Sequence, residues 1–493
     1  MSIAMLGWAM PALGAAEGSG YNLNAGELAA GLASRGHRVS FLRSGTAFSF
    51  KTHMRIGGLG VWRGVRCDEV FNSPIVAPAY FSFGRPSDEC ASPELVSLVL
   101  RWLDSVAADV VHVQSLEGFT HDVMGAILAS GRRLVATLHN HWFICPQVDL
   151  FYRHAEPCID YEGGRKCESC TRPPSFTRTR LAASGRRLGE RLFQVATVPK
   201  PDPVRFKAVI RRLTRTPPAP RPIPLEQPAD YAGADDRLLA ANAKLVVLNT
   251  FGERRRSALA AISSAHRVLV PSRWMRDVAL AFGIPHEKVS HIPLGQPHFD
   301  ALADHPRSRP PWRPDSGRPL DIVFLGSGDT HKGLQILADA LLLPAPLERC
   351  RIRTRTAWLP REVESKLRSL GHVEIGGPYD VRDLPHIFDH ADIVLYPQIC
   401  YDNSPLVVME AFHAGVPVIA SDLGGPRSMI AAGVNGLLFP AGDPASLREA
   451  LHRVTSGAWA VPDGQTVRLA ACLPRFAHFV SAIEREYERN PVG

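Results

Sequence analysis

Two acidic residues, Asp402 and Glu410, stand eight positions apart in a stretch that begins at a predicted strand end and continues into a predicted helix. This spacing places one carboxylate in the turn and the other on the helix beyond it. Two carboxylates so placed can bind two hydroxylated groups, such as a sugar and a ribose, on either side of a diphosphate. The alternative is a solvated acidic pair at a helix end.

Two glycine-containing turns are suited to anions. Residues 326–333 follow a predicted strand and include Lys332, whose charge can offset that of a departing diphosphate while backbone amides approach its oxygens. Near the start of the chain, Gly20 and Asn22 lie in a turn before a predicted helix, where amides can also face an anion. The alternatives are a flexible turn and a glycine-rich loop with a surface lysine.

A histidine, His139, directly follows the predicted strand at 134–138. At the carboxyl end of a strand, an imidazole can donate or accept a hydrogen bond at a ligand hydroxyl near neutral pH. Taken alone, a structural histidine is the more common explanation for this position.

Short apolar runs rich in β-branched residues predict the buried parallel strands that position these groups. The predicted strands span residues 3–8, 39–42, 110–114, 134–138, 268–271, 289–293, 321–325, 373–376, 392–396, 417–421 and 436–439. Helical stretches alternate with them, beginning with residues 25–35. This alternation predicts doubly wound α/β sheets, whose ligands bind beyond the carboxyl ends of the strands.

A proline-rich segment separates two such series of strands. We predict a first α/β domain over residues 1–300, a linker over 301–319 and a second α/β domain over 320–465. The final stretch, 466–493, is expected to be helical and to pack back on the first domain. An insert at about 145–243 interrupts the first domain.

The chain has 493 residues, of which 45% are hydrophobic and 21% are charged, as in an ordinary globular protein. This composition excludes a mainly disordered chain, a collagen-like fibre and a disulfide-rich scaffold. The sequence contains no apolar run long enough to span a membrane, and its uncharged opening lacks the basic start of a signal peptide. We therefore expect a cytoplasmic protein without disulfides.

The segment Asp-Asn-Ser-Pro-Leu at 402–406, with Glu-Ala at 410–411, resembles a motif of the large fourth family of retaining glycosyltransferases. Blocks at 415–420, 424–425 and 433–438 match the continuation of that motif, and 20–22, 27–29 and 35–39 resemble the family's opening. The resemblance implies a GT-B fold, in which two Rossmann-like domains face each other across a cleft. The first domain would take the acceptor, and the second would bind the nucleotide sugar.

The resemblance also implies a role for each matching residue. Glu410 would bind the nucleotide ribose, Asp402 would contact donor-sugar hydroxyls, and His139 would sit beside the transferred sugar, the last two as catalytic residues. The implied donor-binding set is Gly20, Asn22, Lys332, Ser404, Leu406, Val407 and Glu410. The family retains the anomeric configuration, by a front-face displacement, and needs no catalytic metal.

Four of the nine cysteines lie close together, at Cys145, Cys158, Cys167 and Cys170. In a reducing compartment, four thiolates at this spacing predict a tetrahedral structural zinc site. Free thiols, a redox pair and an iron–sulfur cluster are the alternatives.

The net charge of +8 is concentrated in residues 171–221, which contain 13 basic residues and only two acids, Glu190 and Asp202. A solvated insert, docking on anionic lipid and nucleic-acid binding are the three explanations. Lipid docking would place the protein at the inner face of the membrane. Nucleic-acid binding is the least favoured, because no recognition module accompanies the charge.

The sequence therefore predicts a retaining glycosyltransferase that moves a sugar from a nucleotide-diphosphate donor to a hydroxyl acceptor. Surface polysaccharide, lipopolysaccharide or lipid-linked glycan synthesis is the expected setting. Asp402 is one methylene shorter than the family's glutamate, and Ser327 stands where an arginine is common. These departures leave a second hypothesis, a catalytically degenerate sugar-nucleotide-binding protein that acts as an interaction module.

Overall fold

A computed structural model describes residues 1–49, 53–171, 175–177, 179–181, 184, 231, 233–305, 307, 309–344, 347 and 349–489 of the chain. Apolar runs form the strands because parallel strands in doubly wound sheets are covered on both faces. The strands are β1 Ser2–Gly7, β2 Arg38–Ala47, β3 Arg55–Trp62, β4 Val65–Phe71, β5 Val110–Val113, β6 Arg133–Thr137, β7 Phe151–Tyr152, β8 Glu156–Pro157, β9 Arg267–Val270, β10 Val289–His291, β11 Leu320–Leu325, β12 Cys350–Arg355, β13 Val373–Gly376, β14 Ile393–Tyr396, β15 Val418–Ser421 and β16 Gly436–Phe439.

Helices cover the sheets. The α-helices are α1 Ser19–Ser34, α2 Pro93–Ser105, α3 Asp122–Ala129, α4 Arg165–Glu168, α5 Ala234–Ala241, α6 Thr250–Ser264, α7 Arg273–Ala281, α8 Pro297–Asp304, α9 Leu334–Leu342, α10 Arg361–Arg368, α11 Leu384–Asp389, α12 Leu406–His413, α13 Gly425–Met429, α14 Pro444–Thr455, α15 Gly464–Ala471 and α16 Phe476–Glu488. Short 3₁₀ helices span Pro11–Ala16, Ala79–Ser82, Pro86–Glu89, Glu162–Gly164, His286–Lys288, Thr330–Lys332 and Val381–Asp383.

Two sheets organise two lobes. The first has the order β10-β9-β6-β5-β1-β2-β4-β3, and all its pairs are parallel except the β3–β4 edge. The second, of order β13-β12-β11-β14-β15-β16, is parallel throughout. Strand order reverses direction at β1 and again at β11, so the carboxyl ends of these strands are where ligands of such sheets bind. The predicted pair of doubly wound domains is confirmed.

The first helix begins earlier than predicted. We expected a turn over 18–22 and a helix from 25, but α1 starts at Ser19, immediately after Gly18 with a φ of 84°. A left-handed φ suits glycine, which has no Cβ, so the turn is completed there. Gly20 and Asn22 consequently lie in the first turn of α1.

The end of the chain returns to the first lobe. Helix α16 packs on α1 and β6, and Phe479, Val480 and Ile483 are buried in the same core as Ile3. The predicted single helical stretch is two helices, because Cys472 takes a left-handed φ of 48° and ends α15. Among the described residues, no helix is both long and apolar enough to cross a membrane.

Candidate functional site

The loop after β14 carries Asp402 into the space between the lobes. Its Oδ2 atom accepts a hydrogen bond from the Tyr396 hydroxyl at 2.6 Å and lies 3.2 Å from Lys332 Nζ. Lys332 stands in the loop after β11, the neighbouring strand. The carboxyl ends of the adjacent strands β11 and β14 thus bring together Lys332 and Asp402, both of which the sequence singled out. Tyr396, at the end of β14, forms a hydrogen bond with Asp402.

The three groups fix each other's protonation. Burial would raise the pKa of Asp402, but the Lys332 charge and the Tyr396 hydrogen bond outweigh it and lower that pKa. Burial likewise opposes the charge of Lys332, yet the acidic groups of Tyr396 and Asp402 raise its pKa well above the ordinary value. The site therefore holds an ionised carboxylate and an ionised ammonium at neutral pH.

Close packing behind Asp402 depends on a glycine. Gly425 N donates to the Asp402 carbonyl at 2.7 Å. A Cβ atom at position 425 would stand 1.8 Å from the Asn403 carbonyl oxygen, which is an impossible contact. The glycine pair at 424–425 therefore lets α13 approach the Asp402 loop directly.

Helix α12 begins just after that loop and points its first turn toward the first lobe. The amides of Leu406 and Val407 have no acceptor within the helix, as at any helix start, and Ser404 Oγ is buried without a hydrogen-bond partner among the described residues. Across the cleft, a Cβ atom on Gly20 would lie 3.1 Å from Leu406 Cδ1. These donors can bind phosphate oxygens, and Gly20 lets α1 approach them closely.

Glu410 lies one turn further along α12 and is 5% exposed. Its Oε1 is 3.0 Å from His298 Nε2, on helix α8, which packs against both α12 and α16. Burial and the charge of Glu410 raise the pKa of Tyr379, and the Lys332 charge opposes them. Glu410 and Lys332 therefore act on one common region, with His298 as a partner that sequence reasoning missed.

His139 lies at the carboxyl end of β6 in the first lobe. Its Nε2 is 2.7 Å from Gln114 Oε1, and its ring makes an edge contact with Tyr21 at 5.4 Å between centroids. Burial lowers the pKa of His139 to about 3, so the imidazole is neutral at neutral pH. With Nε2 donating to Gln114, Nδ1 can accept a hydrogen bond from a hydroxyl.

Asn403 links the two lobes at this point, and sequence reasoning gave it no role of its own. Its Nδ2 donates to the carbonyls of Leu138 and His139 at 2.9 and 3.1 Å, and its Oδ1 accepts from Ser272 Oγ at 2.6 Å. The carbonyl acceptors lie more than 260 residues earlier in the chain. The bond sets the end of β6 directly against the Asp402 loop.

Asn22 faces its own loop. Its Nδ2 donates to the carbonyls of Met10 and Gly14 at 2.7 and 3.0 Å, and the side chain is fully buried. The structure therefore places Asn22 as a brace of the loop between β1 and α1, whereas Gly20 lies at the cleft.

The four clustered cysteines belong to a compact unit, the cysteine module (residues 145–170), and all line one pocket with Lys166 and Arg255. Burial raises the pKa values of Cys158, Cys167 and Cys170 to about 12. Within the described ranges, no group of three or more histidine, cysteine or acidic side chains is arranged to hold a metal ion. Structural zinc at these cysteines stays a prediction. Most of the basic segment 171–221 lies outside the described residues.

Two facing doubly wound sheets, with an acid, a lysine and a helix start between them, define the GT-B class. Residues 20–159 match the family described as Glycosyltransferase Family 4, and residues 319–456 match the family described as Glycosyl transferases group 1. One match falls in each lobe, and together they cover more than half of the chain. Each lobe therefore matches a glycosyltransferase family, and the two lobes together have the GT-B fold.

Individual relatives agree with this class. Over 136 residues, the chain is 35% identical to the phosphatidyl-myo-inositol mannosyltransferase of Mycobacterium leprae. This match covers 26% of this chain and 36% of that protein. It spans between about a third and a half of the length of the first curated relatives that it matches.

Solved structures share the fold over nearly the whole chain. Sucrose-phosphate synthase from Thermosynechococcus elongatus has a TM-score of 0.59 at 18% identity, covering 99% of this chain and 98% of that one. HepE from Anabaena, solved in complex with UDP, has a TM-score of 0.58 at 15% identity, covering 99% and 100%. At these identities the likeness concerns the fold.

Proposed function

We propose that this protein transfers a sugar from a nucleotide-diphosphate donor to a hydroxyl acceptor, with retention of the anomeric configuration. One observation carries the proposal. The Lys332–Asp402–Tyr396 cluster lies beside the start of α12, where Leu406 meets Gly20 across the cleft. This arrangement supports a diphosphate-binding site next to a carboxylate that can bind hydroxyls.

The leaving diphosphate is the part of the reaction that this site is best built to stabilise. Lys332 supplies a fixed positive charge, and the amides of Leu406 and Val407 with Ser404 Oγ supply donors. Preorganised donors of this kind stabilise charge as it develops. Negative charge on the leaving group can therefore be met without a metal in the reaction.

The sugar would lie between the two lobes. Asp402 accepts hydrogen bonds from its hydroxyls, and neutral His139 stands on the opposite side. Because His139 remains neutral above about pH 3, it serves as a hydrogen-bond partner rather than a charged group. In a front-face displacement, the leaving phosphate takes the proton of the acceptor hydroxyl as the new glycosidic bond forms.

The comparisons suggest which substrates to test first. HepE was solved with UDP, which favours uridine nucleotides as the first donors. The Mycobacterium leprae relative is named for mannosyl transfer to an inositol phospholipid, which favours a lipid-linked acceptor. Such an acceptor, with the basic segment 171–221, supports action at the cytoplasmic face of the membrane.

Hydrolysis of a radiolabelled donor tests the proposal. Glu410→Ala should lose donor turnover because the ribose anchor is gone, whereas Glu362→Ala, at a carboxylate that is 82% exposed on α10, should match the unaltered protein. A thermal-shift panel of UDP, GDP and ADP sugars should select the nucleotide, because a ligand at 100 times its Kd stabilises a protein by about 2.7 kcal/mol. Equal turnover by the Glu410 variant would remove this site assignment.

A further inference from the structure

A carboxylate of the first lobe, Asp149, faces the donor site without belonging to any motif. It is exposed, and in the described part of the chain no hydrogen bond or ion pair occupies it. Its charge nevertheless interacts with those of Lys332 and Asp402 in the second lobe, and with those of Glu117 and Asp329. Asp149 thus stands in the cleft beside the site already described.

The backbone on both sides of Asp149 is strained. Val148 has a φ of 67° and Leu150 a φ of 48°, a left-handed conformation that a β-branched residue very rarely adopts. Leu150 and the following Phe151 are buried, at 2% and 3% exposure. Strain of this kind persists only where the surroundings fix it, and it concentrates at functional sites.

The cysteine module supplies those surroundings. Val148 N donates to the Cys145 carbonyl at 3.0 Å, and Cys158 N donates to the Leu150 carbonyl at 2.7 Å. Gln147 Nε2 donates to the Phe151 carbonyl at 2.7 Å and lies 2.9 Å from Cys170 Sγ. Three of the four cysteines therefore hold the loop that presents Asp149.

The loop is also fixed against the second lobe. Phe151 packs in one buried cluster with Ile399 and Cys400, just before Asp402 in the chain. Its ring lies 6.1 Å from that of His331, the neighbour of Lys332. The position of Asp149 is consequently set relative to both Lys332 and Asp402.

We infer that Asp149 accepts a hydrogen bond from a hydroxyl of the donor sugar on the first-lobe side of the cleft, and that the cysteine module positions it there. This inference rests on the proposed function, and it names a sugar-recognition residue for the same site. An unpaired carboxylate suits a polyhydroxylated group, because hydrogen bonds from hydroxyls satisfy its oxygens. The Asp149 carboxylate also repels the neighbouring diphosphate, which carries more negative charge in the free nucleotide. It therefore favours binding of the nucleotide sugar over binding of the free nucleotide.

The protonation of Asp149 should make this preference depend on pH. Asp149 is open to solvent, but the protein atoms that surround it still desolvate its carboxylate. This desolvation, with the charges of Asp402, Glu117 and Asp329, raises the pKa of Asp149 to about 7, and the charge of Lys332 opposes the rise. Burial lowers the pKa values of the nearby His141 and His331 to about 4, so these rings stay neutral between pH 6 and 8. Asp149 gains its charge across that interval, and the affinity for the sugar ester relative to the free nucleotide should rise with it.

Calorimetry with UDP and UDP-glucose, at pH 6 and pH 8, tests the inference on the full chain. GDP and GDP-mannose replace them if the thermal-shift panel selects guanosine. In Asp149→Asn, we expect the ratio of UDP Kd to UDP-glucose Kd to fall about tenfold at pH 8 and to lose its pH dependence. Free UDP should bind at least as tightly as before. Asp315→Asn, at an exposed position in the linker, is the matched control and should behave as the unaltered protein.

A second variant tests the positioning role. Gln147→Ala should lower the same ratio while leaving the affinity for free UDP unchanged, because only the loop is released. If the ratio and its pH dependence are the same in Asp149→Asn as in the unaltered protein, the inference is overturned. If the unaltered chain binds no nucleotide at all, the proposed function fails with it, so the two failures are distinguishable.

Discussion

The ammonium group of Lys332 has two effects in this site: it forms an ion pair with Asp402, and, in the proposed reaction, it places a positive charge beside the leaving diphosphate. Replacing Lys332 by methionine removes both. Lys332 Nζ lies 3.2 Å from Asp402 Oδ2, with 26% and 23% of the two side chains exposed. Breaking a fully buried ion pair costs about 3–5 kcal/mol. Because this pair is partly exposed, we expect Lys332→Met to lower the free energy of unfolding by about 2 kcal/mol. Loss of one preorganised charge on the leaving group should lower kcat about 10²- to 10³-fold, which corresponds to about 3–4 kcal/mol.

The Asp402→Asn background distinguishes the two effects. In that background the ion pair is already broken, so adding Lys332→Met removes no further pairing and should cost little additional stability. If the ammonium acts on the diphosphate, the same addition still lowers kcat by about 10²- to 10³-fold.

Urea denaturation measures the stability change, and single-turnover donor hydrolysis measures the rate. Lys366→Met is the matched control, because Lys366 pairs with Asp339 on the surface, 2.8 Å away, and should leave kcat unchanged. The reasoning is refuted if Lys332→Met has no effect on the rate in the Asp402→Asn background, because the lysine would then act only through Asp402.

Three further predictions concern contacts between the lobes and the cysteine module. Asn403→Ala should lower the free energy of unfolding by about 2–3 kcal/mol, because it leaves buried carbonyls of the first lobe unpaired; a urea midpoint within error of the unaltered protein would contradict this. Gly20→Val should raise the donor KM at least tenfold, because the added Cβ would lie 3.1 Å from the Leu406 side chain. Adding Leu406→Ala to this variant should lower the donor KM again. An unchanged KM in the double variant would show that the clash lies elsewhere. Metal analysis of the purified protein should find about one zinc per chain. The zinc should be lost in Cys167→Ser and kept in the control Cys472→Ser, which changes an exposed cysteine. A zinc-free protein with intact thiols would favour the free-thiol alternative.

Hydrophobic patterning predicted most of the two sheets, and the exceptions have physical reasons. Strand β12, Cys350–Arg355, alternates buried residues with arginines, so it lacks the continuous apolar run that identifies a strand covered on both faces. Strand β3, Arg55–Trp62, is an edge strand with three glycines and no buried residue, which weakens any strand pattern. Strand β4, Val65–Phe71, was missed as well, because Arg66, Asp68 and Glu69 interrupt its apolar residues. All three strands are set by their neighbours in the sheet rather than by their composition.

The candidate site shows a similar division. Residue types and spacing identified Lys332, Asp402 and Glu410, because charged and small residues after apolar strands are a local pattern. The same reasoning gave Tyr396 no role, since a tyrosine at a strand end has no distinctive spacing. It also could not find His298, whose contact with Glu410 joins residues 112 positions apart.

The sequence by itself determined two doubly wound sheets and the chemistry available at their carboxyl ends, because strand periodicity and turn composition are encoded within a few residues. Only the tertiary structure decided which of those groups meet. Asn403 reaches the end of β6, and Asp149, between two strained residues, faces Lys332, because the packing of two lobes joins segments that lie far apart in the chain. Local spacing carries no information about such contacts.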